Sequence, residues 1–393
     1  MKSVVIVDAL RTPIGSFGGR FKSLTAPELG SVTIGALFKN NSINPDLIDD
    51  VIIGNALPAG IGQAPARQAA LRAGLKNTTR CTTVNQLDGS GMKAVMYAMQ
   101  QIAMGDADVV VAGGMESMTN VPYYLPGARF GTKLGHGELQ DGILADGLQD
   151  AYKKWQMGNA AELCAQTYEI SREAQDFHAA ASVQRAKNAH SEGAFNEEIV
   201  PVKIRDRQGR AEVIARDEEI GRLDTDDIPK RAPAFQENGT VTSANAASIS
   251  DGAAALLLMS EQKALERDLA PIARLVSQAS TAGPPAEFTT EPVRAIPRVL
   301  ERAGKSTNEI DLFEINEAFS VSTLACSQLL ELDPDTVNIH GGAVSMGNPS
   351  GCSGARILVT LLHALHRHEK RWGCAAVGFG GGGAASVVVE RFL

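Results

Sequence analysis

No run of about 18 apolar residues occurs in the 393-residue chain, so a membrane-spanning helix is not expected. Basic clusters are also missing, and the formal net charge is −8. This excludes nucleic acid and anionic membrane as principal partners, while leaving room for a local basic pocket around a phosphorylated ligand. Cysteine is scarce. Cys81, Cys164, Cys326, Cys352 and Cys374 are odd in number and spaced for neither a zinc site nor a disulfide framework. No metal is therefore expected, and a reducing, cytoplasmic setting is. The opening "MKSVVIVDALRTPIG" has no charged segment followed by a long apolar one and is not Arg- and Ser-rich, so neither a secretory nor a transit segment is expected.

What is present is ordinary globular composition, 44% hydrophobic and 21% charged. The length suits two to three domains, or two fused halves. Short apolar runs near Val4, Val51, Val110 and Val387 read as buried strands. Amphipathic stretches between them, such as Ala26–Lys39 and Gly91–Gly105, read as helices. The alternation predicts an α/β fold. "DGSGMKAVMYAMQQI" followed by "DADVVVAGGMES" is echoed by "NPSGCSGARILVTLLHAL" followed by "CAAVGFGGGGAASVVVE", the mark of two similar halves. The middle, from about residue 119 to 248, is more polar and reads as an insertion able to cover a ligand cleft. The expected division is 1–118, 119–248 and 249–393.

Particular motifs run the length of the chain: "RTPIGSFGG", "GQAPARQAAL", "GSGMKAV", "VVAGGMESM", "DGLQDAY", "EEIVPV", "SDGAAALLLMS", "EINEAFS" and "HGGAVSMGNPSGCSGARI". Together they resemble the thiolase family, of the biosynthetic acetoacetyl-CoA type. The resemblance implies the thiolase fold, two similar five-layer α/β/α/β/α halves with an inserted loop domain. It implies a homodimer, or a homotetramer where a loop near 121–142 is present. It implies no cofactor beyond a coenzyme A thioester as ligand, with its pantetheine arm under the loop domain. It places the pocket at Leu148, Gln156, Met157, Ser243, Ala247, Ser248, Phe288, Ala318 and Phe319.

The family's reaction needs a nucleophilic cysteine, a histidine to take its proton, a second cysteine to move a proton on the other substrate, and two oxyanion sites. By motif these places fall on Asp88, Asn348 and Gly378, with Asn316 at the water-holding asparagine and Gly380 as a backbone donor. An aspartate at a helix start reads either as an N-cap or as a functional carboxylate, and the helix dipole should favour its ionised form. Asn348 cannot be a base but can donate to a carbonyl. Gly378 relays no proton and opens space. Cys352, Cys374 and His340 read as packing residues.

These replacements lead to an expected diverged enzyme. It would act on an acyl-CoA or related carbonyl compound by hydrolysis, retro-aldol or retro-Claisen cleavage, or decarboxylation, with Asp88 as base. Two alternatives stay open. One is a non-catalytic subunit that binds acyl-CoA or forms a hetero-complex with an active thiolase. The other is an inactivated acetyl-CoA acetyltransferase. Lipid or polyketide metabolism is the expected setting.

Overall fold

The computed structural model describes residues 2–131, 133–205 and 208–392. Nine strands form its main sheet: β1 (Val4–Arg11), β2 (Asp50–Gly54), β3 (Arg80–Val84), β4 (Val109–Ser117), β5 (Ser250–Ser260), β6 (Ala273–Ala282), β7 (Leu312–Ile315), β8 (Trp372–Phe379) and β9 (Gly383–Arg391). The order across the sheet is β7-β8-β9-β6-β1-β5-β4-β2-β3, and a short strand at Gly15–Ser16 adds to β5. The join between its two parts is narrow. Strands β1 and β6 pair only at Val5↔Arg274 and Ile6↔Ala273.

On either side of that join the topology repeats. In the first part β3, β2 and β4 run parallel and β5 and β1 follow antiparallel. In the second, β7 and β8 run parallel and β9 and β6 follow antiparallel, with Val337 bridging Phe313 in the place that corresponds to β3. The echo seen in the sequence is thus an echo of connectivity. Each repeated unit carries one long helix into the middle, α3 (Ser90–Met104) in the first and α8 (Ser350–Arg367) in the second, counting α1 (Ala26–Asn40), α2 (Pro65–Arg72), α4 (Met157–Thr167), α5 (Arg172–Ser191), α6 (Pro292–Ala303) and α7 (Ser320–Leu329) between and before them.

Helices α3 and α8 pack on each other between the two sheet parts. Met92, Val95 and Ile102 share one core with Ile357, Leu361, Val110, Leu256, Val377 and Val387. The outer faces are covered by α1 and α2 on one side and by α6 on the other. Layers therefore run α/β/α/β/α across the molecule. Burial on both faces explains why β4, β5 and β9 are continuous apolar runs instead of alternating ones.

The central helices approach the strands closely because the strands carry glycine where they meet. A Cβ on Gly54 would collide with the Ser90–Gly91 backbone, and one on Gly114 with the Gly351 carbonyl. These contacts bring the starts of α3 and α8 to the carboxyl ends of β2 and β4. The expected boundary at 249 stands one residue ahead of β5. That strand sits between β1 and β4, so 250–260 is part of the first sheet. The insertion is locked to this sheet by buried charge. Arg11 Nε donates to Glu198 at 2.5 Å, and its Nη1 and Nη2 donate to Asp217 at 2.7 and 2.9 Å, with all three side chains out of contact with water. No described helix is long and apolar enough to cross a membrane.

Candidate active site

Asp88 lies in the turn from β3 into α3. Leu87 before it adopts φ 51°, the left-handed region, which makes the turn tight. The helix begins at Ser90 with Gly89 as its N-cap, and no side chain caps it. The N-cap expectation for Asp88 is therefore corrected, because the chain turns one residue too early. Its side chain instead reaches the second half of the molecule. Asn348 Nδ2 donates to Asp88 Oδ1 at 2.7 Å, and the Ser350 side chain also hydrogen-bonds to it. The backbone closes the same contact, with Gly354 N–H donating to the Asp88 carbonyl. The expectation that the helix start favours its ionised form meets an opposing effect. Burial raises the acid, against the opposing pull of Asn348, its own backbone N–H and Ser350.

Asn348 is tied to its neighbours through both ends of its amide. Its Oδ1 accepts from Ser353 Oγ at 2.7 Å and from Asn316 Nδ2 at 3.3 Å. The two asparagines expected to polarise a carbonyl thus spend a donor each inside the protein. Gly378 brings the third correction. The space expected there is filled, since a Cβ on Gly378 would strike the Phe288 carbonyl oxygen and crowd Pro292. Cys352 and Cys374 are buried, and burial pushes both thiols up to about 12, in keeping with packing roles.

Behind Asp88, Glu116 accepts hydrogen bonds from Asn55 Nδ2 (2.6 Å) and from the N–H groups of Ala56, Leu57 and Gly351. Burial still lifts its acid to about 7 from an ordinary value of 4.5, with the Asp88 charge adding a little. The folded state therefore holds a proton that the unfolded chain gives up between these two values. Stability should be full below about 4.5 and fall as pH rises to about 7, by up to a few kcal/mol. Denaturation midpoints at pH 5 and pH 7.5 check this. The difference should shrink in Glu116→Gln, and an unchanged difference would assign it to other groups.

Two cavities meet here. The inner one, about 70 Å³, is lined by Asp88, Asn348, Ser350, Gly380, Phe288 and Ala318 among others. The outer one, about 480 Å³, is lined by Gln156, Ser243, Phe17, Phe235, Glu219 and Arg222 among others. Leu148, Met157, Ala247, Ser248 and Phe319 line both. The structure thus brings twelve of the fourteen expected residues to one continuous passage. Asn316 stands behind Asn348, and Gly378 lines neither cavity. Sequence reading missed Met118, Ile249, Ser350 and Glu116. Ser350 was within reach, since it opens the helix that follows Asn348.

The comparisons fit this geometry. The family description "Thiolase, N-terminal domain" matches residues 4–262, and "Thiolase, C-terminal domain" matches 269–391. "Acetyl-CoA acetyltransferase 2" of Arabidopsis thaliana is 50% identical over 391 residues, covering 99% of this chain and 97% of that protein. "Acetyl-CoA acetyltransferase" of Schizosaccharomyces pombe is 49% identical over 389 residues, covering 99% and 98%. The crystal structure of the Bacillus anthracis acetyl-CoA acetyltransferase superposes with a TM-score of 0.97 at 39% identity, covering 100% of this chain and 99% of that one. This full-length likeness is to proteins that are named acetyl-CoA acetyltransferases. It overturns the expectation of a diverged enzyme performing hydrolysis, retro-aldol or retro-Claisen cleavage, or decarboxylation with Asp88 as base. With the fold, the motifs and the relatives in agreement, the chain belongs to the thiolase family.

Proposed function

We propose that this chain is an acetyl-CoA acetyltransferase in ligand and architecture whose transfer centre is inactivated. It takes acetyl-CoA or acetoacetyl-CoA into the thiolase passage and does not exchange the acetyl group. The observation that carries this reading is the passage itself, which leads from an outer chamber lined in part by Arg222 to an inner chamber bounded by Asp88, Asn348 and Gly380. An elongated ligand with phosphates at one end and a short acyl group at the other suits that shape.

The transfer step is what the side chains do not support. A hydrogen-bonded carboxyl replaces the thiol the reaction needs at position 88. Asn348 has no titrating base to offer, and Gly378 has no proton to relay. The reading includes a homo-oligomer, supported by Phe130, Leu134 and Leu139, which stand exposed on the segment 121–142. Thr132 of that segment lies outside the described residues.

Two measurements on the purified protein test the proposal. Thermal shift or calorimetry with CoA and acetyl-CoA should show binding. Thiolysis of acetoacetyl-CoA by added CoA should stay at background. Turnover within about a hundredfold of an intact family member would refute the inactivation, since loss of a single acid–base role costs about 10²–10⁴-fold. Absence of binding would refute the ligand.

A further inference from the structure

The inner end of the passage is short of positive charge. Asp88 lines it, while no Lys, Arg or His does. Glu116 stands behind as a second buried carboxylate. The fully buried arginines stand elsewhere, Arg11 hydrogen-bonded to Glu198 and Asp217, and Arg356 at 3.7 Å from Glu314.

A buried carboxylate without a cation is costly unless it takes up a proton or a positive partner arrives. Glu116 has four donors around its carboxylate. Asp88 has Asn348 and Ser350. A neutral acyl group brings no charge to this place. An ammonium on a short acyl chain brings the missing charge and three donors. The inner chamber of about 70 Å³ has room for a few heavy atoms, and Met118, Leu148, Ile249 and Phe319 suit the methylenes that would carry the amine.

We infer that this passage selects coenzyme A thioesters whose short acyl group ends in a primary amine, with the ammonium seated on Asp88. The inference deepens the acyl-CoA reading above and rests on it. Nothing is transferred in this step; it is a matter of binding alone.

The test is calorimetric titration of the full chain with CoA, butyryl-CoA and 3-aminopropionyl-CoA at pH 7.5. The last two have acyl groups of nearly the same shape and differ in charge. In the wild type the amine should bind at least about tenfold more tightly than its neutral counterpart, about 1.4 kcal/mol. Asp88→Asn should abolish that preference. If this variant does not fold, Asp88→Ser decides, because it removes the same carboxyl. Equal affinities in the wild type at pH 7.5, or a preference that survives removal of the Asp88 carboxyl, overturn the inference and leave the acyl-CoA reading standing. Failure of all three compounds to bind overturns both.

Discussion

Asp88→Cys alone is expected to leave acetoacetyl-CoA thiolysis at background, at least about 10²–10⁴-fold below an intact family member assayed beside it. A thiol at this place would still need its proton removed. The residue it meets is Asn348, whose Nδ2 now donates toward position 88 and whose Oδ1 is taken by Ser353 and Asn316. The start of α3 favours a thiolate, while burial opposes it. Cys352, buried near the start of α8, shows the strength of the second effect, with its thiol pushed up to about 12. Adding Asn348→His supplies a base, and adding Gly378→Cys supplies the second thiol. The latter must push the Phe288 carbonyl aside, so the triple variant should lose about 1–3 kcal/mol of stability through overpacking. The assay follows loss of acetoacetyl-CoA on adding CoA. Robust turnover from Asp88→Cys alone would mean that the helix start by itself generates the thiolate.

The largest loss of stability is expected from Arg11→Ala, about 3–5 kcal/mol. Its guanidinium holds two carboxylates, Glu198 and Asp217, at distances of 2.5 to 2.9 Å with no access to water. Truncation leaves both buried without their cation. Asp217 would retain the Ile14 N–H as a donor, which lessens the loss without removing it. Chemical denaturation midpoints of wild type and variant measure the effect. A loss under about 1 kcal/mol would show that water entering the site replaces the arginine. Because both carboxylates belong to the insertion and Arg11 to β1, the variant should also bind CoA compounds less tightly. The outer chamber takes Glu219 and Arg222 from the stretch that follows Asp217.

Much of this was legible from local pattern. Helix α1 was read as Ala26–Lys39 and runs to Asn40, and α3 was read one residue late at each end, because 3.6-residue periodicity and the bounding glycine at position 105 are properties of adjacent residues. The pocket residues came from motifs, and most of them line one passage. What escaped was set by distant partners. The protonation tendency of Asp88 depends on Asn348 and Ser350, some 260 positions away, and on how deeply the turn is covered. The room at Gly378 depends on where the Phe288 carbonyl lies. The segment at 250–260 entered only as the motif SDGAAALLLMS, and nothing local says which strands it joins. Its neighbours, β1 and β4, were both made before the insertion.

That placement of β5 has a consequence for how the protein is made. A ribosome delivers β1 and β4 well before it reaches Ser250, and at roughly 5–20 residues per second the wait is on the order of ten seconds. Through that interval the first sheet has a gap in its middle. The facing edges of β1 and β4 offer unpaired N–H and C=O groups along the buried sequences VVIVDALR and VVVAGGMES. The nascent chain is therefore most open to wrong pairing with its neighbours on a polysome while residues 119–249 are being translated. Slowing synthesis within that stretch should lower the soluble yield more than the same delay placed after Ser260.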